Sequence, residues 1–252
     1  MKLLRLQGFP ILQQLYLEER LLRATTHNWC LINQGTNPPA IVVGISGKPE
    51  KLLDVKAVLQ DNIPVIRRFS GGGTVIVDMD TVFVTLICRR DAVTLPDLYP
   101  RPIMEWTEHL YLPAFQTVPT FHLLEHDYVL GDRKFGGNAQ SIIKDRFLHH
   151  TSFLWDYQDF RMAYLKLPQR TPTYRLARSH SDFICRLKDY MPSREVFADY
   201  IVKAFEQQFC LQEISLDEVE KTQPSSVPHI TSTQVFTTAD LQRSIMPLIV
   251  KG

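Results

Sequence analysis

Two arginines precede three consecutive glycines by two residues at Arg67-Arg68-Phe69-Ser70-Gly71-Gly72-Gly73-Thr74, with alternating apolar residues before and after. Triple glycine weakens a strand through backbone entropy and leaves nothing to pack, so it belongs where another backbone or a ligand comes close. Bare N–H groups in such a loop can face a phosphate or an acyl chain, and Arg67 and Arg68 supply fixed positive charge. The common phosphate motifs do not fit. No Lys-Ser or Lys-Thr follows the glycines, and adjacent glycines are not the spaced dinucleotide fingerprint. A glycine-rich hairpin carrying two surface arginines would use the same residues. A second segment, Asp132-Arg133-Lys134-Phe135-Gly136-Gly137-Asn138-Ala139-Gln140, again joins basic to small residues, and His149-His150-Thr151-Ser152 follows it.

The three segments together, in this order and spacing, resemble the lipoate–protein ligase A family within the wider biotin and lipoate ligase superfamily. The resemblance runs from about Leu12 to about Phe209. It implies a mixed α+β fold of the class II aminoacyl-tRNA synthetase/biotin synthetase type, with a mostly antiparallel sheet flanked by helices. It implies an enzyme that makes lipoyl- or octanoyl-AMP from ATP with Mg2+, then passes the acyl group to a lysine of a carrier. The carrier would be a lipoyl domain of a 2-oxoacid dehydrogenase complex or a glycine cleavage H protein. Residue by residue, Arg68, Ser70, Gly71, Gly72 and Gly73 fall on the acyl and adenylate loop, with Arg67, Thr74 and Asp78, the last at the end of the strand after it, as further substrate- or nucleotide-binding candidates, and Lys134 falls on the active-site lysine. Gly136, Gly137, Asn138 and Ala139 fall on the small-residue strand lining the acyl tunnel, with His149 and His150 opposite it.

The chemistry independently favours such residue types. A mixed anhydride between a carboxylate and AMP forms through a charged pentacovalent phosphorus, which a cation aimed at its non-bridging oxygens stabilises. Lys134 is suited as a compact ammonium on a flexible stem. An eight-carbon chain needs a narrow apolar slot, at ~0.8 kcal/mol per buried CH2, and small side chains leave room for one.

The chain also departs from the family pattern. Val77 precedes Asp78 where a histidine is usual. Gly136-Gly137-Asn138-Ala139 replaces Ser-Gly-Ser-Ala, and Thr151-Ser152 replaces Gly-Thr after the histidines. Ile45-Ser46-Gly47-Lys48-Pro49 stands where Arg-x-Gln-Asn is expected. An ATP-independent acyl transferase and a catalytically reduced homologue therefore stand as alternatives. A thioester route needs a reactive thiol beside the site. Cys30, Cys88, Cys185 and Cys210 lie outside all three segments, and Cys30 and Cys88 sit in apolar runs. No metal site is expected, since His122 and His126 lack the zincin pattern.

With 252 residues, 28 basic and 27 acidic, the chain can bury a sizeable core and carries no global field directed at nucleic acid or membrane. Its apolar runs are shorter than the ~20 residues of a bilayer span. Nothing at the start resembles a targeting tract, so a cytoplasmic location is the expectation. Ile11, Leu15 and Leu22 recur at helical spacing, with Glu18, Glu19 and Arg20 assigned to the solvent side. Strands are expected at 29–33, 40–45, 65–70, 73–77, 82–88, 121–124, 134–143 and 147–155. Helices are expected at 51–60, 102–112 and from Pro192 to Phe209, with Ser193 as N-cap. Tyr157, Phe160, Met162, Tyr164 and Leu165 read as core, and Arg175 to His180 as either a basic contact strip or a solvated loop. Residues 1–217 form the expected catalytic domain. Residues 218–252 read as a linker and short terminal segment, too short for the family's accessory domain, which a separate protein could supply.

Overall fold

A computed structural model describes residues 1–118, 120–167, 171–222 and 231–246. Its larger sheet contains β1 (Lys2–Gln7), β2 (Trp29–Gln34), β7 (Thr81–Arg89), β8 (Phe121–Leu124), β9 (Asp127–Leu130), β10 (Arg133–Ile143), β11 (Arg146–Leu154) and β12 (Gln212–Glu213). The spatial order is β12-β1-β2-β7-β11-β10-β9-β8, with the two-residue β5 (Gly71–Gly72) pairing onto β10. Only the β1 pairings with β2 and β12 are parallel, so the sheet is mixed and mostly antiparallel. A smaller sheet joins β3 (Ala40–Val43), β4 (Val65–Arg67), β6 (Val75–Val77) and β13 (Gln234–Val235).

Period-two alternation gives the central strands two buried faces. Phe147 and Phe153 of β11 pack with Ile103, Leu110 and Tyr111 of the helix Pro100–Tyr111 and with Phe197, Ile201 and Phe205 of the helix Arg194–Glu206. Leu148 on the other face packs with Leu17, Leu21 and Leu22 of the first helix, Ile11–Ala24. Phe83 on the same side meets Val42, Ile66 and Val77 of the small sheet. The larger sheet therefore lies between the two later helices on one face and the first helix plus the small sheet on the other. Ser193 caps the helix Arg194–Glu206 by accepting the Val196 N–H at 3.2 Å, as its sequence position predicts.

Several elements differ from expectation. The N-terminus forms β1 before any helix begins, because its apolar residues continue the sheet beside β2. The segment 51–60 is broken at Asp54, whose carboxylate accepts the Ala57 N–H at 3.1 Å and starts a new helix, Val55–Gln60. Phe160 is exposed, whereas Tyr157, Met162 and Tyr164 are buried.

The clearest difference is on the first helix, where Glu18, Glu19 and Arg20 are all buried. Glu18 follows Leu15 by three residues and precedes Leu22 by four, which places it in the apolar stripe. Glu19 and Arg20 are covered by the C-terminal part of the chain. Glu19 accepts from the Thr231 hydroxyl at 2.6 Å and the Ser232 N–H at 3.0 Å, and Arg20 pairs with Glu220 at 2.5 Å. Beyond them, β13 extends the small sheet at β4, and Leu241 of the helix Thr238–Ile245 enters the cluster of Ile41, Val43, Val55 and Val58. The described parts of 218–246 are thus packed onto the domain. The expected linker also includes 223–230, which lie outside the described residues.

Burial of Leu241 leads to the first prediction. Leu241→Ala should lower global stability by ~2–4 kcal/mol, read as an earlier midpoint in urea. An unchanged midpoint would mean that this segment does not fold with the domain.

Candidate active site

One extra residue in β10 determines where Lys134 points. Lys134 pairs with Val129 of β9, whereas Gly136 pairs with Tyr128, so Phe135 is unmatched and forms a bulge. Phe135 is fully buried against Phe115 and Phe153, and a Cβ on Gly136 would also point at Phe153 and the Tyr128 Cβ, 3.1 Å away. With both residues facing the helical core, Lys134 and Gly137 share the opposite face. The Lys134 Nζ would lie 3.4 Å from a Cβ on Gly137, so the lysine stem runs over the space that glycine leaves.

Lys134 is held by Asp127, the first residue of β9, with Nζ 2.7 Å from Oδ1. Asp127 is mostly buried, while a quarter of the Lys134 side chain reaches solvent. Its second oxygen accepts the Tyr174 hydroxyl at 2.9 Å. Burial, then the nearby Asp127 charge and this hydrogen bond, push the Tyr174 phenol far above its usual range, so it remains a donor. Neither Asp127 nor Tyr174 was singled out from the sequence. Asp127 stands among the apolar residues Tyr128, Val129 and Leu130, where a lone acidic residue on a buried strand requires a partner.

The glycine loop reaches the same strand. β9 begins at Asp127 opposite Gly137, and beyond that point β5 occupies the β10 edge, with Gly72 opposite Ala139 and Gly71 opposite Gln140. Gly72 has φ +129°, and an added Cβ would lie 2.6 Å from the Arg68 Nη2 and 2.7 Å from the Asn138 carbonyl oxygen. Both backbone conformation and space therefore require glycine. Gly44 is equally constrained, because a Cβ there would lie 2.3 Å from the Gly72 carbonyl oxygen. At Gly73 a Cβ would meet nothing within 4 Å, and both Gly72 and Gly73 are exposed.

The arginines have separate surroundings. Arg68 is buried and braces the loop by donating from Nη2 to the Gly73 carbonyl at 2.8 Å. Burial lowers its pKa to about 10 against an opposing contribution from Glu18, so it stays charged at neutral pH. Arg67 is half-buried, stacks 4.5 Å from the Phe236 ring centroid and donates to the Gly47 carbonyl at 3.4 Å. Ser70 is buried, and its carbonyl accepts the Ile45 N–H at 3.1 Å. Thr74 is half-buried beyond Gly73. Asp78 occupies the turn after β6, where it pairs with Arg161 and accepts the Asp80 N–H at 2.9 Å; its partners here are not on β10.

The two histidines are not a pair in space, because neighbours on a strand face opposite ways. His150 shares the Lys134 face, where its Nδ1 lies 3.0 Å from a Glu18 oxygen and 3.0 Å from the Thr85 hydroxyl. Glu18 also accepts from Thr85 at 2.7 Å and Gln14 at 2.8 Å. His149 points into the helical side. Gln140 donates to its Nδ1 at 2.9 Å, and Nε2 lies 3.2 Å from the Thr151 hydroxyl. Asn138 faces that side too, accepting from Thr151 at 2.9 Å. Among the tunnel-strand candidates, only Gly137 and Ala139 face the same side as Lys134, Gly72 and His150; Gly136 and Asn138 turn away.

In the basic strip from Arg175 to His180 the two arginines turn inward, while Leu176 and Ala177 are exposed. Arg175 is buried, Arg178 binds Asp132 at 3.0 Å, and both stack on Phe183. Three cysteines are buried. Burial raises the pKa of Cys88 to about 12 and that of Cys185 to about 11, and pushes Cys30 further still. Among the described residues no group of three His, Cys, Asp or Glu side chains could hold a metal ion, and no helix is long and apolar enough to cross a membrane.

Lysine, glycine loop and small-residue strand thus converge on one face of an α+β sheet, an arrangement able to stabilise an anionic phosphate. The sequence profile of the lipoyl protein ligase A/B catalytic domain matches residues 10–210, and the chain belongs to that family. It is 26% identical to the inactive lipoate–protein ligase 2 of Plasmodium falciparum, over 77% of this chain and 66% of that one. Its fold is that of a lipoate–protein ligase A crystallised with ATP, with a TM-score of 0.73 and 17% identity, covering 88% of this chain and 92% of the other. The same score and identity relate it to a structure from the archaeal lipoylation system of Thermoplasma acidophilum, described as a bipartite lipoate protein ligase and its E2 lipoyl domain, over 88% and 89% of the two chains. The chain spans about half to two thirds of the length of the curated relatives it matches.

Two predictions follow from this geometry. Gly137→Leu should displace the Lys134 stem and Gly72→Val should break the β5–β10 contact; both should abolish binding of lipoate, the expected acyl ligand, in calorimetry, and normal binding would show that these glycines do not line an acyl site. Burial, then the neighbouring His150, lower the His149 pKa to about 3 from an ordinary 6.5. The folded state then binds fewer protons than the unfolded one between those values, so stability is fully present above pH 6.5 and declines as pH falls toward 3. His149→Gln should reduce that slope by up to about 1.4 kcal/mol per pH unit, measured by urea unfolding at pH 7 and pH 5. An unchanged slope would mean that His149 is protonated in the folded protein.

Proposed function

We propose that this chain is an adenylate-forming lipoate–protein ligase acting on lipoate or octanoate. The observation that carries this reading is the placement of Lys134 beside Gly137, two residues (~7 Å) along β10 from Ala139, the partner of Gly72. In the proposed reaction a carboxylate oxygen of the acyl substrate attacks the α-phosphorus of ATP, and pyrophosphate leaves. Lys134 stabilises the charge on the non-bridging oxygens, and the N–H groups of the exposed Gly72–Gly73 turn are the complementary donors. A carrier-lysine amine then attacks the acyl carbonyl, loses a proton and releases AMP. Mg2+ would enter on the ATP phosphates, with Asp127 the nearest carboxylate to Lys134.

The site candidates divide into roles. Lys134 is the proposed catalytic cation. Gly72, Gly73, Gly137 and Ala139 shape the slot, and Arg68, Ser70, Gly71 and Thr74 hold or flank the loop. His150 lies beneath it with Glu18. Asp78, Gly136, Asn138 and His149 support the site from positions away from the Lys134 face, and Arg67 does so from the β4 edge. Similarity to a ligase crystallised with ATP, and to a bipartite ligase described together with its E2 lipoyl domain, supports ATP as co-substrate and a lipoyl domain as acceptor. A 2-oxoacid dehydrogenase component or an H protein, acting in the cytoplasm, would present that domain. A separate accessory-domain protein could assist.

A reduced homologue is the competing reading, prompted by the similarity to a ligase named inactive and by Val77 in place of the usual histidine. A thioester transferase is disfavoured because Cys30, Cys88 and Cys185 are buried with raised pKa values, and the exposed Cys210 sits beside Met1 at the β12–β1 end of the larger sheet, several strands from β10. The test is incubation of the full chain with lipoate or octanoate, ATP and an apo lipoyl domain, read by intact mass. ATP-dependent acylation is expected, and Lys134→Ala should slow it by ~10²-fold or more. Replacing all four cysteines should leave turnover in place. Acylation without ATP, or a hydroxylamine-sensitive acyl group on a cysteine, would establish the transferase instead; no acylation would leave the reduced homologue.

A further inference from the structure

The loop carrying Tyr174 is held in an unfavourable conformation. Leu176 and Ala177, neither of them glycine, both adopt left-handed φ values of +52° and +60°, a conformation that residues with a Cβ rarely adopt. The Leu176 side chain gains nothing in return, since it is 80% exposed. The surrounding contacts maintain the strain. Arg175 Nε donates to the Arg178 carbonyl at 3.0 Å, and Arg178 Nε donates back to the Arg175 carbonyl at 3.1 Å. Both guanidinium groups stack on Phe183, and Arg178 reaches the Asp132 carboxylate and carbonyl, each at 3.0 Å. From the other side, Glu125 in the β8–β9 turn accepts the Thr173 N–H at 2.7 Å and the Tyr174 N–H at 3.3 Å.

All these contacts fix one side chain. Tyr174 is aimed from the loop at the Asp127 oxygen that Lys134 does not use. We infer that Tyr174 is a positioning residue for Lys134, acting through Asp127. The phenol fixes the rotamer of a carboxylate that would otherwise have one anchored oxygen, and the carboxylate then holds the ammonium over Gly137. A mobile Asp127 would let Lys134 sample the open side of the site, and misplacement of a catalytic group by about 1 Å costs up to ~10²-fold in rate. This inference deepens the ligase reading and rests on it for the catalytic role of Lys134.

The test compares wild type, Tyr174→Phe and Glu125→Ala in single-turnover formation of acyl-AMP, together with 15N detection of the Lys134 ammonium, assigned by its loss in Lys134→Arg. Tyr174→Phe should lower the adenylation rate by about tenfold or more, with the KM for ATP and for lipoate nearly unchanged, because the interaction it supports is made in the transition state. The Lys134 ammonium resonance should shift and broaden in the same variant. Glu125→Ala, which frees the Tyr174 backbone and keeps the hydroxyl, should move both readouts the same way by less. Adenylation at the wild-type rate, or an unmoved resonance in Tyr174→Phe, would overturn the positioning role. A moved resonance with no acyl-AMP even in wild type would support the Tyr174–Asp127–Lys134 linkage while rejecting the ligase reading.

Discussion

Because Phe135 is an additional residue in β10, the strand changes its facing between Lys134 and Gly137. The rest of the site depends on that bulge. In a regular strand Lys134 and Gly136 would share a face, and the charge would lie over a glycine packed against Phe153. With the bulge, Phe135 contributes a buried aromatic ring to the core, and Lys134 gains both the free space over Gly137 and the Asp127 carboxylate. Burial of an apolar side chain thus sets the direction of the polar one. The stability of the fold and the geometry of the site rest on the same backbone irregularity.

The surrounding elements complete two constraints. On one edge of β10, β9 and β5 occupy successive stretches, so Asp127 and Gly72 arrive next to each other without sequence proximity. Beneath them, a network of Glu18, Thr85 and His150 lies close enough to Arg68 for the carboxylate to offset part of its desolvation. Arg68 donates its hydrogen bonds to the carbonyls of Gly71 and Gly73 in its own loop and of Val42 in β3. Its charge serves loop shape, whereas the cationic function that reaches solvent at this face belongs to the half-buried Lys134.

Much of this was legible in the residues. The glycine loop, the Lys134 segment and the β8, β10 and β11 strands stand out through glycine content and alternation, and the three motifs together indicate the family. Period two also implies that His149 and His150 face opposite ways, and helical spacing places Glu18 in the buried stripe; both signals were present but were outweighed by the resemblance and by residue polarity. The bulge at Phe135 was not legible, because alternation continues plausibly through it in either register. Nor were the Tyr174 contact and the burial of Glu19 and Arg20. Each depends on a segment distant in sequence: the strained 173–178 loop in one case, and the C-terminal residues 216–222 and 231–233 in the other.

The central claim is that Lys134 acts on a phosphorus while an acyl-adenylate forms. It is tested most directly by lipoate-dependent exchange of labelled pyrophosphate into ATP, which reports that step without any carrier. The account predicts exchange by the wild-type chain that requires lipoate or octanoate and is lost in Lys134→Ala. Exchange that persists undiminished in Lys134→Ala would contradict it.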